Sequence, residues 1–395
     1  MTARCSGIGL VAVDTNGAWI GGRYYLHHLV RAVSSLPDDE RAPLLDVSWG
    51  KKPEDDPFME VRQLLAGSRT VAPPQGLPAR LKRKVQRTLR GWRDARDLFL
   101  DAGIGALFPM APCDAPGIPY VFWLSDFQYI HLPGLFPPDM RNWYKRYFDH
   151  NVRAATLVVL SSQSAYDDFA TFYPGDVGKA RLLRFCSVPD ESWWALDPRE
   201  VAGAKGIKFP YVIVCNQFSH HKNHDVLLAA MRVLGERGSS VQLVCTGSTY
   251  GFRGDDYFKR LSAYMDEHDL RPRVHVLGLL PRAEQIALLR GAAAVLQPSR
   301  FEGWSTIIED AKSLGKAIVA SDIAVHREQL DGEQGTLLPL DDHGIWADAI
   351  LDAAGGGGCG RGPERRNADV TGYAAEAAQR TGRTFIEVMR EAMSR

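Results

Sequence analysis

The sequence predicts an α/β protein with two doubly wound domains, each a parallel sheet covered by helices. Three observations support this fold class. The chain has 395 residues, which is more than a single core of ordinary size accommodates. Short β-branched or apolar runs alternate with helical segments, as in parallel sheets. The runs form two series: IGLVAV, YVFWL and TLVVLS in the first half, then YVIVCN, VQLVCTG, VHVLG, AAVLQPS and AIVAS in the second.

A stretch without sustained periodicity separates the two series. Residues 187–210 carry prolines and glycines, and we place the linker at 191–209. The domains are then 1–190 and 210–372, and residues 373–395 have the pattern of a final amphipathic helix. The second series is the more regular. This regularity indicates a doubly wound domain, whose ligand should lie beyond the carboxyl ends of the strands.

The composition excludes several classes of function. Apolar residues make up 45% and charged residues 24% of the chain, and 47 acidic residues balance 47 basic ones, which disfavours a nucleic-acid partner. The N-terminus lacks an apolar leader and no run of about twenty apolar residues follows, so we expect a cytoplasmic protein. The six cysteines include no CxxC pair, which predicts reduced thiols and no metal site.

The stretch PSRFEGWSTIIEDAKSLGKAIVASD, residues 298–322, concentrates the candidate chemistry. On a helical wheel, Asp310 lies on the flank of the predicted helix, where a side chain can reach a cleft. Glu309 points away from the apolar face, and we expect it to pair with Lys312 in solvent. Glu302 precedes the helix in a loop.

The start of this helix is suited to an anion. Its backbone N–H groups and two hydroxyls would fit a diphosphate. The residues that supply them are Gly303, Trp304, Ser305 and Thr306. Carboxylates beside such a site make sense if Glu302 and Asp310 accept hydrogen bonds from sugar or ribose hydroxyls. A nucleotide diphosphate sugar offers both kinds of group.

This unit resembles the signature of the retaining glycosyltransferases of family four, which have the GT-B fold: two Rossmann-like domains facing a central cleft. The signature is a Glu, seven residues and an acidic residue, here Glu302 and Asp310, although the family usually has Glu at the second position. The stretch YVIVCNQFSHHKNHDVLLAAM is similar to the family's strand and loop with a basic pair for the donor diphosphate. Lys222 is present, whereas Asn216 replaces the Arg of many relatives. The resemblance thus implies that Lys222 is the main cation on the leaving group.

The N-terminal half carries two further matches. DTNGAWIGGRYYLHHLVRAV resembles the family's glycine loop, where Gly21 and Gly22 would let backbone approach a phosphate or the acceptor. FWLSDFQYIHLPGLFP resembles a loop that in many relatives reads His-Asp and faces the transferred sugar. Ser125 stands at the His position, while Asp126 is retained and would orient a sugar or acceptor hydroxyl. His131 is a candidate substitute for the missing imidazole.

The segment HVLGLLPRAEQ is similar to the family's base-binding turn, which would place Leu280 and Arg282 near the nucleobase. The resemblance also implies a mechanism: retention without a covalent intermediate, with the leaving phosphate accepting the proton of the acceptor hydroxyl. Lys222 would stabilise the leaving diphosphate, and Glu302 would hold the sugar hydroxyls and stabilise positive charge. The final helix would cross back to the N-terminal domain.

The expected partners are a nucleotide-sugar donor as co-substrate and a glycan, lipid or small-molecule acceptor. We expect no separate cofactor and no metal, because the Asp pairs beginning at positions 38, 167, 255 and 341 have the pattern of ordinary solvated charge. Two alternatives stay open. One is an epimerase or sugar phosphorylase on the same fold. The other is a nucleotide-sugar sensor without turnover, conceivable because Asn216 and Ser125 replace an Arg and a His.

The segment ARLKRKVQRTLRGWRDAR, residues 79–96, has an apolar stripe surrounded by Arg and Lys. This is the pattern of an interfacial helix that contacts an anionic membrane. A helix packed on its own domain shows the same wheel. We favour the second interpretation and keep peripheral membrane contact as the alternative.

Overall fold

A computed structural model of the protein describes residues 7–13, 20–50, 56–71, 95–113, 116–250, 256–332, 335–355 and 367–395. These residues form two α/β domains, and the predicted fold class is confirmed. None of the helices described is both long enough and apolar enough to span a membrane. Residues 79–94 of the predicted interfacial helix lie outside the described part of the chain.

The N-terminal domain is built on parallel strands. They are β1 (Gly7–Val11), β2 (Leu44–Trp49), β3 (Ser68–Val71), β4 (Ile104–Phe108), β5 (Val121–Leu124), β6 (Leu157–Leu160) and β7 (Ala180–Leu182). A four-stranded sheet of order β3-β2-β1-β4 continues into a three-stranded sheet β5-β6-β7 through a parallel bridge between Leu107 and Tyr120. The strand order reverses between β1 and β4.

Helices cover both faces of these strands. They are α1 (Ile20–Ser34), α2 (Ala95–Asp101), α3 (Gln128–His131), α4 (Pro138–Ala154) and α5 (Gln163–Phe172). Helix α1 is fixed by Tyr25, whose ring is fully buried and stacks on Trp123 of β5 with centroids 3.9 Å apart. Helix α5 begins where the Ser162 hydroxyl accepts the backbone N–H of Ala165 at 3.0 Å.

The C-terminal domain alternates strands and helices. After α6 (Pro198–Ala204) these are β8 (Tyr211–Cys215), α7 (His224–Glu236), β9 (Gln242–Thr246), α8 (Tyr257–Glu267), β10 (Val274–Gly278), α9 (Arg282–Gly291), β11 (Val295–Gln297), α10 (Thr306–Ser313), β12 (Ile318–Ser321), α11 (Ala324–Gln329), β13 (Thr336–Leu338) and α12 (His343–Ala354). The parallel sheet has the order β10-β9-β8-β11-β12-β13. The chain therefore moves outward in one direction from β8 and in the other from β11, so the carboxyl ends of these two strands border a switch point.

The last helix, α13 (Asn367–Ser394), packs against the N-terminal domain. Phe385 and Met389 are fully buried in the same apolar cluster as Tyr25 of α1. The two helices meet backbone to backbone, because a Cβ atom on Gly382 would lie 2.6 Å from the carbonyl oxygen of Ala32. The C-terminal end of the chain thus belongs to the core of the first domain.

All of the apolar runs predicted as strands are strands. The prediction missed five others: β2, β3, β4, β7 and β13. Strand β3 shows why, since three of its four residues are exposed at the sheet edge and carry no apolar pattern. Strands β7 and β13 are also edge strands, with three residues each of which only one is buried, so they carry no buried apolar run.

Candidate functional site

The candidate site lies at the switch point of the C-terminal sheet. Asn216 directly follows β8, and Gln297 is the last residue of the neighbouring β11. The Nδ2 of Asn216 donates to the Oε1 of Gln297 at 2.6 Å, and both side chains are buried. Asn216 therefore binds the next strand in this structure, and its side chain brings no charge to the site.

Lys222 and Glu302 form an ion pair across the same point. The Nζ of Lys222 lies 2.5 Å from the Oε1 of Glu302, and the two side chains are 15% and 10% exposed. The Nε2 of Gln297 donates to the same oxygen at 2.9 Å. The structure thus brings together the two residues predicted to act on the leaving group and on the transferred sugar.

Two hydrogen bonds of the Asn223 side chain fix the turn that carries Lys222. Asn223 adopts a left-handed conformation with φ 54°, which Asn tolerates better than most residues. Its Nδ2 donates to the carbonyl oxygen of Leu340 at 2.9 Å, and its Oδ1 accepts from Arg300 at the same distance. The fixed turn leaves Lys222 directed at Glu302.

The start of helix α10 is already hydrogen-bonded within the protein. The hydroxyl of Ser305 accepts from Ile308 N at 3.4 Å and from Gln297 Nε2 at 2.9 Å. Its backbone N–H donates to the Oε1 of Gln329 at 2.9 Å. The prediction of a free N–H group at Ser305 is wrong, because α11 brings Gln329 over this turn. Thr306 is the first residue of the helix.

Trp304 faces the other domain. Its indole Nε1 donates to the carbonyl oxygen of Phe185 at 3.0 Å, and its ring packs against the N-terminal core. The side chain of Trp304 thus joins the two domains, whereas its predicted contribution to the donor site is its backbone N–H.

Asp310 is completely buried at the boundary between the domains. Its Oδ1 accepts from the hydroxyl of Ser187 and from Nη2 of Arg282, each at 2.6 Å. The guanidinium of Arg282 lies 4.6 Å from the ring centre of Tyr24 and 5.2 Å from that of Trp193. Burial would lower the pKa of Arg282, but Asp310 holds it above its ordinary value.

Two predictions about this region need correction or refinement. Glu309 does pair with Lys312, at 3.6 Å, but it is only 3% exposed instead of solvated. Gln329 of α11 donates to it at 3.0 Å, and burial raises its pKa. Arg282, predicted beside the nucleobase, contacts Asp310, while Leu280 packs partly buried against the apolar cluster beneath the sheet.

The N-terminal residues approach the site from across the cleft. Gly21 and Gly22 lie in the first turn of α1, not in a loop, and Gly22 is buried; residues 14–19 before them are not described. The Oδ1 of Asp126 accepts the backbone N–H of Gln128 at 2.8 Å. A Cβ atom on Gly303 would lie 2.9 Å from the Cβ of Asp126. Asp126 is therefore directly opposite the loop that carries Glu302.

His131, the candidate substitute for the missing imidazole, lies at the same boundary. Its Nε2 lies 2.7 Å from a carboxylate oxygen of Asp168, and its ring centre is 5.4 Å from that of Phe301. The pair adjoins the Glu302 loop, and no hydrogen bond from it to Glu302 is described.

Sequence analysis missed several residues that shape the site. Gln297 contacts Asn216, Glu302 and Ser305. The sequence offered one signal for it, a polar residue at the carboxyl end of an otherwise apolar strand. Ser187 gave no signal, because its role depends on the distant Asp310. Among the described residues, no three His, Cys, Asp or Glu side chains are grouped as a metal site.

Two parallel α/β domains, with polar residues at a switch point beside their boundary, have the arrangement expected of the GT-B fold. Residues 201–356 match the family model described as Glycosyl transferases group 1. The match falls almost entirely within the C-terminal domain and agrees with the resemblance found from the motifs.

Two curated relatives are named glycosyltransferases. The chain is 32% identical to a phosphatidyl-myo-inositol mannosyltransferase of Mycolicibacterium smegmatis over 132 residues. This aligned region is 33% of this chain and 32% of the relative. The chain is 23% identical over 260 residues to an alpha-D-kanosaminyltransferase of Streptomyces kanamyceticus, covering 63% and 64%. The chain thus matches about a third of the length of the first relative and under two thirds of the second.

Solved structures share the fold over nearly the whole chain. HepE of Anabaena, solved in complex with UDP and glucose, superposes with a TM-score of 0.62 at 17% identity over 98% of both chains. A glycosyltransferase of Rickettsia africae superposes with a TM-score of 0.63 at 13% identity over 98% of this chain and 95% of that one. The predicted GT-B fold is confirmed.

Proposed function

We propose that this protein is a retaining, metal-independent glycosyltransferase that moves a sugar from a nucleotide diphosphate sugar to an acceptor hydroxyl. The observation that carries the proposal is the Lys222–Glu302 pair at the switch point between β8 and β11. A cation and a carboxylate are held there within one hydrogen-bond length. They match the two charges that the reaction develops, a negative leaving group and a positive sugar ring.

Lys222 would stabilise the departing diphosphate. Its side chain is mostly buried, so its charge acts in a medium where electrostatic stabilisation is stronger than in water. Asn216 adds no charge to this task. Lys222 therefore serves as the leaving-group cation at this point, in the role that a metal plays in other enzymes.

Glu302 would hold hydroxyls of the transferred sugar and stabilise positive charge at its reacting carbon. Donor binding would draw Lys222 toward the diphosphate. Glu302 would keep the hydrogen bond from Gln297, so its position does not depend on Lys222. Asp126, across the cleft, would orient a hydroxyl of the sugar or of the acceptor.

The acceptor belongs to the N-terminal domain in this proposal. A glycan, a lipid or a small molecule each offers the required hydroxyl. Retention would follow if the leaving phosphate accepts the acceptor's proton on the same face of the sugar. HepE was solved with UDP and glucose, and this supports a nucleoside diphosphate as the donor's leaving group.

The test is a thermal-shift panel of UDP-, GDP-, ADP- and dTDP-sugars, first with a chelator and then with magnesium. We expect one nucleotide class to raise the melting temperature of the wild type without metal, since a ligand that binds only the folded state stabilises it. The Lys222→Ala variant should lose most of this shift, and its turnover should fall roughly 10²- to 10³-fold. Lys208→Ala, an exposed lysine in the linker, is the matched control.

Turnover is followed by nucleoside diphosphate release, and the anomeric configuration of the product by NMR. An inverted product would overturn retention, and a shift that needs magnesium would overturn metal independence. A shift without any release across an acceptor panel would favour the sensor. No shift with any donor would contradict the whole proposal.

A further inference from the structure

Two buried polar side chains face one another across the domain boundary beside the candidate site. His28 lies on α1 of the N-terminal domain and Asp310 on α10 of the C-terminal domain. They are 4% and 0% exposed, and the Nε2 of His28 lies 4.0 Å from the Oδ1 of Asp310. Within the described residues, neither His28 Nε2 nor Asp310 Oδ2 has a hydrogen-bond partner. Buried polar atoms without partners are rare and costly, which points to a group that completes them.

The tautomer of His28 follows from its surroundings. The backbone N–H of Val188 donates to Nδ1 at 2.9 Å, so Nδ1 holds a lone pair. Burial, together with the charges of Arg282 and Arg31, holds the pKa of His28 well below its ordinary value. A neutral ring that accepts at Nδ1 carries its proton at Nε2. His28 therefore presents an unused N–H donor to the boundary.

Asp310 presents the complementary group. Its Oδ1 is satisfied by Ser187 and Arg282, and its Oδ2 is left as an acceptor. A single hydroxyl can complete both groups, because it accepts one hydrogen bond and donates another. Arg282 can keep its hydrogen bond to Asp310 when the hydroxyl binds, because it contacts Oδ1 and the hydroxyl would contact Oδ2.

The family resemblance already assigns Asp310 to a sugar or ribose hydroxyl. We propose that His28 donates from Nε2 to the hydroxyl that Asp310 accepts at Oδ2, and that His28 determines specificity for that hydroxyl. This proposal rests on the proposed function. The hydroxyl belongs either to the ribose of the nucleotide or to the transferred sugar, and the subsite chemistry is the same for both. Because His28 and Asp310 belong to different domains, the donor must enter while the domains are apart, and both contacts form only on closure.

Specificity follows from the cost of leaving the pair incomplete. A donor that lacks the hydroxyl would leave a buried N–H and a buried carboxylate oxygen unpaired. We expect such an analogue to bind roughly 10- to 100-fold more weakly than the donor itself. A variant without the N–H would lose most of this discrimination, because it would bind the complete donor less well and the analogue about as before.

The experiment is isothermal titration of the wild type, His28→Leu and His28→Gln. The ligands are the diphosphate among UDP, GDP and ADP that binds the wild type, its 2′-deoxy and 3′-deoxy analogues, and the corresponding nucleotide sugar. His28→Leu removes the N–H group that donates the hydrogen bond, whereas His28→Gln keeps an amide N–H and should recover part of the affinity. Melting temperatures show whether each variant is folded.

A preference for the ribonucleotide over one deoxy analogue that disappears in His28→Leu supports the subsite and assigns it to ribose. A loss in His28→Leu with the nucleotide sugar but not with the free diphosphate supports the subsite and assigns it to the sugar. If His28→Leu weakens every ligand equally, or none, His28 is merely structural and the proposal is overturned, while the glycosyltransferase proposal stands. If no diphosphate or nucleotide sugar binds the wild type, both fall together.

Discussion

Gly303 lies at the point where the two domains touch, and adding one methyl group there should hold them apart. A Cβ atom at Gly303 would lie 2.2 Å from the carbonyl oxygen of Ser125 and 2.9 Å from the Cβ of Asp126. The first of these is a backbone atom, which cannot turn away as a side chain does. In Gly303→Ala the two segments must therefore separate by roughly 1 Å for an ordinary contact.

The magnitude follows from the nature of the clash. Inserting a methyl group into a closely packed contact costs about 1–3 kcal/mol, which corresponds to roughly a 5- to 150-fold shift between two states. The clash lies between the domains and in neither core. We therefore expect the shift to act on closure, so that turnover falls by that factor, while the donor loses at most the part of its affinity that the closed state adds through His28.

The assay compares kcat, the Kd of the nucleotide sugar and the radius of gyration from solution scattering in wild type and Gly303→Ala. The control is Gly134→Ala, because a Cβ at Gly134 meets no atom within 4 Å. A Gly303→Ala variant with kcat within twofold of wild type and an unchanged radius of gyration would refute the steric reasoning. Much weaker binding of the nucleotide sugar with an unchanged kcat would mean that Gly303 matters because it positions Glu302.

Two further predictions concern stability. Gly382→Ala should lower the free energy of unfolding by about 1–3 kcal/mol, since its Cβ would press α13 against α1. In Gly372→Ala on the same helix the new Cβ meets no atom, so the free energy of unfolding should rise by about 0.5–1 kcal/mol. If denaturant unfolding shows both variants stabilised, or both destabilised, the steric argument is wrong. His224 is fully buried against the ring of Phe218, and burial lowers its pKa to about 3. As pH falls, the His224 imidazole is therefore protonated in the unfolded state before it is protonated in the folded state. The free energy of unfolding then decreases between about pH 6.5 and pH 3, by about 2 kcal/mol at pH 5. His224→Phe should make the pH 5 and pH 7 melts more alike, and an unchanged difference between them would count against the histidine.

The sequence by itself determined five of the six strands of the C-terminal sheet and the polar residues at their carboxyl ends. Buried parallel strands are continuous β-branched runs, so β8 to β12 are visible without any partner. Parallel strands also end at one edge, so Lys222 after β8 and Glu302 after β11 fall on the same side of the sheet, and the resemblance to family four assigned both to one site. Both properties are local, or follow from the topology alone.

Only the tertiary structure decided what covers each face. The helical wheel placed Glu309 correctly on the side of α10 away from the sheet, but it contains no information about Gln329 and α13, which bury that side. Asp310 reaches the domain boundary as predicted, yet its partners Ser187 and His28 lie more than a hundred residues earlier in the chain. Periodicity reports how one element divides its own residues into faces. Which distant element then lies against a face is fixed by the packing of the two domains, and no local pattern records it.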